Sequence, residues 1–448
     1  MQTNFSLAQL ADSQMASSEK ILRTCVHCGF CTATCPTYLL LGDELDSPRG
    51  RIYLIKDMLE GGKPATREVV QHVDRCLSCL SCMTTCPSGV HYMHLVDHAR
   101  AHIEMTYKRD WADRLLRAVL ARVLPYPRMF RLALAGALFA KPLRPLLKRL
   151  PGVGKRLGAM IALAPSTSPA VTPEPETTAT PRRGRVAILE GCAQPVLQPS
   201  INAAARRLLA RAGIETVRVA NEGCCGALVH HMGREAQALD FARRNIDAWM
   251  DEIECNGPDG VGIDAILITA SGCGTTVKDY GFMFRDDPAY ADKARRISAL
   301  ARDVTEYLDT LDMAPVQKPE QSRKMAVAYH SACSMQHGQQ IRDEPKRLLR
   351  KAGFDVKDVP EGHICCGSAG VYNILQPDIA ERLRDRKVSN IARVRPQIIA
   401  TGNIGCITQI GSGTSTPVVH TIELLDWAYG GPPPPAIESM EFSVETAR

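Results

Sequence analysis

In "DELDSPRGRIYLIKDMLEGG", residues 43 to 62, the apolar residues Ile52, Ile55, Met58 and Leu59 recur at the three- and four-residue spacing of one helical face. Ser47 suits a cap and Pro48 the first helical position, and Gly61 and Gly62 end the run, so the pattern predicts a helix. From residue 184 the pattern changes. Short β-branched and aliphatic runs alternate with helical stretches such as "GREAQALDFARRNIDAWM" and "PDIAERLRDRKVSNIARV", which predicts βαβ units around a parallel sheet.

That second region is duplicated. "VAILEGC", "LLARAGIETVRVANEGCCGA" and "DAILITASGCG" correspond in order to "MAVAYHSAC", "LLRKAGFDVKDVPEGHICCGSA" and "PQIIATGNIGC". Cys192 and Cys224 are 32 positions apart, as are Cys333 and Cys365. A repeat of this kind predicts two sister domains, at 184–313 and 324–430, with a tail at 431–448. Ahead of them, "APSTSPAVTPEPETTATPRRG" has nothing to bury and reads as a flexible linker, 165–183. Residues 108–164 mix aliphatics with arginines and lysines and have almost no acids after Asp113. A basic amphipathic segment suits an anionic membrane surface or an acidic partner, and equally a solvated helical cover over a neighbouring domain. It brings few aromatics for base stacking, which argues against nucleic acid.

The chain has 448 residues, enough for several domains that each bury their own core, so cysteines are not needed to staple a small fold. Its start has neither a basic nor an apolar leader region, and no apolar run approaches the roughly 18 residues that span a bilayer. The expectation is a cytoplasmic protein. In that reducing compartment 17 cysteines, an odd number, point to metal ligation or redox chemistry rather than disulfides.

Spacing selects the metal. Cys25, Cys28, Cys31 and Cys35 before Pro36, and Cys76, Cys79, Cys82 and Cys86 before Pro87, both follow C-x2-C-x2-C-x3-C-P. Three thiolates so spaced wrap one face of a cube, and the proline turns the chain so that the fourth cysteine serves the other cube. The expected 4Fe-4S ligands are Cys25, Cys28, Cys31 and Cys86 for one cluster, and Cys35, Cys76, Cys79 and Cys82 for the second. Zinc ribbons use two distant C-x2-C pairs instead. Residues 1–107 thus read as a ferredoxin-like domain. His94, His98 and His102 then recur every four residues on a predicted helix, either as a metal-binding face or as a solvent-facing or cluster-shielding stripe.

Eight further cysteines fall just after the strand-like runs, at the carboxyl ends where α/β sheets keep their sites. Cys192, Cys224, Cys225 and Cys273 are expected to converge in the first copy, and Cys333, Cys365, Cys366 and Cys406 in the second, as additional cluster or redox sites or as inert docking domains. Cys255 is left over as a plain loop residue. His330 near Cys333 and Glu190 near Cys192 are placed either to tune such sites or to serve as ordinary hydrogen-bonding structure.

The double C-x2-C-x2-C-x3-C-P run, "SPRGRI", the two "CCG" pairs and "SGCG" resemble the iron-sulfur subunits of bacterial glycolate oxidase, from about residue 18 to residue 430. The small subunit of anaerobic glycerol-3-phosphate dehydrogenase and the cysteine-rich subunits of heterodisulfide reductase are similar. The resemblance implies a multidomain chain, an α-helical ferredoxin-like domain followed by two repeated α/β cysteine-rich domains. It also implies partner subunits that carry flavin and oxidise glycolate to glyoxylate, with electrons passed to membrane quinone and peripheral association with the inner membrane. Where heterodisulfide reductase carries a final C-x-x-C, this chain has Ala270 and Asn403 at the first of those positions, which puts that enzyme's unusual clusters in doubt.

The chain shows no dinucleotide fingerprint, nucleophile elbow or convincing acid/base pair, so the expected role is electron transfer and not substrate oxidation. The alternatives are a subunit of a D-lactate or glycerol-3-phosphate dehydrogenase, a thiol/disulfide enzyme of the heterodisulfide reductase kind, and a zinc-stabilised scaffold.

Overall fold

The computed structural model describes residues 1–143, 153–164, 183–254, 262–311, 313 and 325–438. The linker at 165–183 lies outside them except for Arg183, as do Cys255, residues 144–152 of the basic segment and the tail beyond residue 438.

The N-terminal part is helical. The helices Ser13–Thr24, Pro48–Gly61, Arg67–Asp74 and Tyr92–Thr106 close around a core that includes Leu22, Ile55, Leu59, Val73 and Leu95. In the helix Pro48–Gly61 the Ser47 hydroxyl accepts from the Gly50 N–H at 2.9 Å, and Gly62 ends the helix in a left-handed conformation with φ 57°. Ile52, Ile55, Met58 and Leu59 form its buried face. Full burial of a side chain such as Ile55 or Leu59 stabilises by about 1.5–3 kcal/mol. Gly50 in this helix has a packing role: a Cβ there would lie 2.1 Å from the Glu44 carbonyl oxygen. The turn Glu44–Asp46 therefore rests directly on the first helical turn, which brings Asp46 beside Arg51.

The rest of the chain forms two parallel four-stranded sheets. The first comprises β1 Gly184–Ile188, β2 Ile214–Val217, β3 Ala265–Ile268 and β4 Ala301–Asp303, in the order β2-β1-β3-β4. The second comprises β5 Ala326–Tyr329, β6 Asp355–Asp358, β7 Ile398–Thr401 and β8 Val418–His420, in the equivalent order β6-β5-β7-β8. All six pairings are parallel. In each sheet the central strands diverge to opposite neighbours, which opens a crevice at their carboxyl ends.

The two copies are fused through one face: each keeps a core of its own on the other side of its sheet, around Ile246 and Trp249 in the first and Ile399 and Ile410 in the second. Val186, Ile188 and Leu208 of the first share one apolar cluster with Val327, Leu349 and Ile422 of the second. Arg207 and Arg211 on the helix Ser200–Arg211 both bind the buried Asp426 carboxylate at 2.5 Å, and the His420 ring meets the Thr269 carbonyl oxygen at 2.8 Å.

The basic segment divides in two. The helix Trp111–Val123 buries Leu116, Leu120 and Ala121 against Cys224, Val229 and Phe241 of the first sheet domain and Val371 and Leu375 of the second. Its Arg117 is buried, bound to Asp113 and Asp74 at 3.0 Å each, so this arginine belongs to the interior. Arg114, Arg122 and Arg128 are exposed. So are Trp111, Leu115 and Val119, spaced four apart on the other face, together with Leu132 and Phe139 of the helix Pro127–Ala140.

Replacing Gly50 by alanine is expected to push the Glu44–Asp46 turn off the helix and to destabilise the ferredoxin-like domain by about 1–3 kcal/mol, the usual range for overpacking. Thermal unfolding of the variant checks this. An unchanged midpoint would mean that the turn does not rest on Gly50.

Candidate metal centres

The two cysteine runs adopt the same backbone course. Residues two and four after the first cysteine are left-handed in both: His27 (φ 55°) and Gly29 (φ 86°) in the first, Ser78 (φ 48°) and Leu80 (φ 61°) in the second. The left-handed residues wrap each run around a centre. For Ser78 and Leu80 this conformation costs of order 1–3 kcal/mol each, which persists only when the surroundings enforce it.

Each run encloses a hollow. The first is lined by Cys25, Cys28 and Cys31 and by Cys82 and Cys86. The second is lined by Cys76, Cys79, Cys82 and Cys35. The fourth cysteine of each run thus crosses to the other run's hollow. Cys82, Pro48 and Tyr92 line both hollows, so the two share a wall.

This donor set fits two 4Fe-4S clusters: with the shared Cys82 counted to the second hollow, the crossed grouping leaves four thiols for each, the ligand number of one such cluster. Burial pushes the Cys31 thiol up to about 11, and raises those of Cys79 and Cys82 well above the ordinary thiol range. Sulfurs gathered in so dry a space ionise together only when cations stand between them, so metal binding here is coupled to proton release.

A buried ionic node supports the second hollow. Arg51, 1% exposed, reaches the Cys35 sulfur at 3.9 Å and donates to the Thr37 hydroxyl at 3.0 Å and the His72 carbonyl oxygen at 2.7 Å. Its charge is matched by Asp46, fully buried, which also receives Arg75 at 2.7 Å and faces the His72 ring at 2.9 Å. Sequence periodicity marked Pro48–Gly61 as a helix but gave no sign that its second arginine is a core residue. Arg100 braces the second run, donating to the Ser78 hydroxyl at 2.5 Å and the Cys76 carbonyl oxygen at 2.7 Å.

The histidine stripe does not act as one face. His94 meets Asp279 at 2.9 Å and stacks on Phe282, His98 meets the Ser18 hydroxyl at 2.6 Å, and His102 meets the Lys63 carbonyl oxygen at 3.1 Å.

In the sheet domains the remaining cysteines gather at the crevices. Cys192 follows β1 and Cys273 begins the helix after β3, and they meet the Cys224–Cys225 pair. Hydrogen bonds from Cys192 and then Cys225 hold the Cys224 thiol well below its ordinary value. In the second copy Cys333 approaches Cys365 at 3.7 Å and Cys366 approaches Cys406 at 3.5 Å. Asn403, standing where a cysteine would complete C-x-x-C, donates to the Cys406 sulfur at 3.5 Å.

The copies differ around these thiols. His330, 1% exposed, has both ring nitrogens without a hydrogen-bond partner and lies with Cys366 and Cys406 in a group whose ligand atoms are within 4.8 Å of one another. Lys387, equally buried, donates to the Glu361 carbonyl oxygen at 2.9 Å. At the same offsets from the cysteines the first copy has Leu189 and Ile246. Glu190 turns to Arg206 and Asn202 instead, as ordinary hydrogen-bonding structure.

The second copy sits on the ferredoxin-like domain. Leu77 and Cys79 share an apolar cluster with Ile364, Cys365 and Tyr372, and Cys333 packs against it. The Tyr372 hydroxyl donates to the Arg75 carbonyl oxygen at 2.9 Å, and His337, on the π-helical turn Ser334–Gln339 after Cys333, meets the Thr84 hydroxyl at 2.7 Å.

Comparison with known proteins agrees with this anatomy. Residues 21–90 match the 4Fe-4S dicluster domain family, and residues 186–278 and 327–411 each match the cysteine-rich domain family. A hypothetical protein from Helicobacter pylori shares the fold at 10% identity and a TM-score of 0.53, with 94% of this chain and 73% of that one covered. The lactate utilization protein A of Bacillus licheniformis is 24% identical over 54% of this chain and 99% of its own length. The probable glycolate oxidase iron-sulfur subunit of Bacillus subtilis is 29% identical over 91% of this chain and 94% of its own. The glycolate oxidase iron-sulfur subunit of Escherichia coli is 44% identical over 96% of this chain and 99% of its own. With two cysteine-ringed hollows, two cysteine-rich domains and a relative alike over nearly its whole length, the chain belongs to the family of glycolate oxidase iron-sulfur subunits, the iron-sulfur component of a hydroxy-acid oxidase complex.

Proposed function

We propose that the chain relays electrons from flavin-bearing subunits, where glycolate is oxidised to glyoxylate, toward a membrane quinone. The observation that carries this reading is the unbroken succession of sulfur sites: two hollows with a common wall, then Cys79 packed against Cys333 and Cys365.

Cys25, Cys28, Cys31 and Cys86 hold the first cluster, and Cys35, Cys76, Cys79 and Cys82 the second. A 4Fe-4S cluster, when bound, supplies one-electron chemistry at a potential set by its surroundings. The chain's residues set those surroundings. Arg51 places a fixed positive charge beside Cys35, and Leu77 and Leu80, 5% and 3% exposed, keep water from the second hollow. The first hollow reaches the surface, where Cys28 is exposed between Val26 and Phe30, 66% and 61% exposed. This apolar rim suits the docking of the flavin-bearing partner.

A further iron-sulfur site is favoured in the second cysteine-rich copy, where His330 joins Cys366 and Cys406 and Lys387 offsets thiolate charge. Glycolate is favoured over lactate as the electron source because the likeness to the Escherichia coli subunit spans both chains, whereas the lactate utilization relative covers about half of this one.

Peripheral attachment to the cytoplasmic side of the inner membrane is part of the same reading. No described helix is long and apolar enough to cross a membrane. Trp111, Leu115, Val119, Leu132 and Phe139 offer exposed apolar area beside Arg114, Arg122 and Arg128, a combination that suits an anionic lipid surface.

Anaerobically purified protein is expected to carry about eight iron atoms in the ferredoxin-like domain, four per cluster. Iron above that number should disappear in Cys366→Ser, and zinc in place of iron would overturn the assignment. In the assembled complex, Cys79→Ser should abolish quinone reduction while glycolate still bleaches the flavin in a single turnover, because hydride transfer to flavin precedes any step on this chain. Normal quinone turnover in an assembled Cys79→Ser complex would refute the relay. Replacing Arg114, Arg122 and Arg128 together by glutamate should move the complex from the membrane to the soluble fraction, and high salt should act the same way. An unchanged distribution would assign this face to a protein partner.

A further inference from the structure

The helix Tyr92–Thr106 and the turn that ends the short helix Ala227–His230 meet where the ferredoxin-like domain contacts the first cysteine-rich domain. Asp97 comes from one side, and His230 and His231 from the other. The His230 Nδ1 lies 3.9 Å from one Asp97 carboxylate oxygen, and the His231 Nδ1 lies 4.0 Å from the other. Both distances are too long for hydrogen bonds. Asp97 Oδ1 and His231 Nδ1 are buried and have no hydrogen-bond partner, although the Asp97 side chain is only 9% exposed. Arg100 forms an ion pair with Asp97 at 3.8 Å, beyond hydrogen-bond reach, while it donates to the Ser78 hydroxyl and the Cys76 carbonyl oxygen.

We propose that Asp97, His230 and His231 form a mononuclear site for a divalent transition-metal ion of the zinc type, which staples the ferredoxin-like domain to the first cysteine-rich domain. The ligand atoms lie within 4.8 Å of one another. Around a tetrahedral zinc with bonds near 2.0–2.2 Å they would stand roughly 3.3 Å apart, so a closure of about an ångström completes the geometry. Two imidazole nitrogens and one carboxylate oxygen are a borderline donor set that suits zinc, and three protein ligands leave a position for water. Asp97 and His230 also line a hollow with His94, His98, Glu235 and Asp279, which gives that water a polar space.

The backbone fixes the approach. Gly233, with φ +84°, sits so close to the helix that a Cβ would lie 2.3 Å from the Arg100 carbonyl oxygen. The histidine turn therefore docks on the backbone of the helix that carries Asp97. That helix also carries Arg100, which holds the second cysteine run, so the staple steadies the wall of the second hollow from outside it.

The test uses the full-length, iron-loaded protein, titrated anaerobically with zinc after dialysis against a chelator. Zinc binding should saturate at about one ion per chain, with only nitrogen and oxygen neighbours in the zinc-edge X-ray absorption spectrum. Asp97→Asn and His231→Gln should each weaken zinc binding by about 100-fold or more while iron content is unchanged. If Asp97→Asn fails to assemble, His231→Gln decides the matter, since that side chain is a third exposed and its loss leaves the core intact. Failure to retain zinc, sulfur in its coordination shell, or unaltered affinity in an assembled His231→Gln protein would each overturn the proposal.

Discussion

Eight thiols contributed by two runs about fifty residues apart must meet around two adjacent hollows, each run giving its fourth cysteine to the other's hollow. Much of the N-terminal architecture follows from this exchange. The intervening helix Pro48–Gly61 gives Pro48 to the wall of both hollows, and that helix is seated by the Glu44–Asp46 turn over Gly50. Asp46 then neutralises Arg51, whose guanidinium stands next to the Cys35 sulfur. A buried arginine would be costly alone. Here it is matched by a carboxylate and by sulfurs that become anionic when metal binds.

The exchange also explains why the sheet domains are not equivalent. Among the described residues, the second copy alone presents its cysteines to the second hollow, through the cluster shared by Cys79, Cys365 and Tyr372. It is also the copy that carries His330 and Lys387 where the first has Leu189 and Ile246. The first copy packs its Cys224 under the helix Trp111–Val123 and anchors the ferredoxin-like domain from the other side, through Phe282, Asp279 and the turn at Gly233. The second copy sets its polar, sulfur-rich crevice beside the second hollow, and the first, whose four cysteines also converge, braces the ferredoxin-like domain from the other side.

The cysteine runs, the helix Pro48–Gly61 and the duplicated βαβ pattern were legible in the sequence because each rests on local spacing: ligand intervals, a 3.6-residue period, strand alternation. What local spacing does not encode was not legible. The shared core of the two copies looks, residue by residue, like two separate cores, since an apolar face carries no mark of what covers it. Arg117 belongs to a segment that reads as a basic surface, and local spacing shows only its pairing with Asp113, because its second acidic partner, Asp74, lies far upstream. The histidines every four residues suggested a common face, yet tertiary packing gave each ring a different partner. Asp97, with His230 and His231, had no signal beyond the doublet "HH", because the group exists only after two domains meet.

The crossed sharing of cysteines is tested most directly by anomalous diffraction at the iron absorption edge from anaerobically grown crystals of the chain. Two iron tetrads are expected, one bounded by Cys25, Cys28, Cys31 and Cys86, the other by Cys35, Cys76, Cys79 and Cys82. A tetrad held by all four cysteines of a single run, with Cys35 beside Cys31 or Cys86 beside Cys82 on the same iron cluster, would contradict the account.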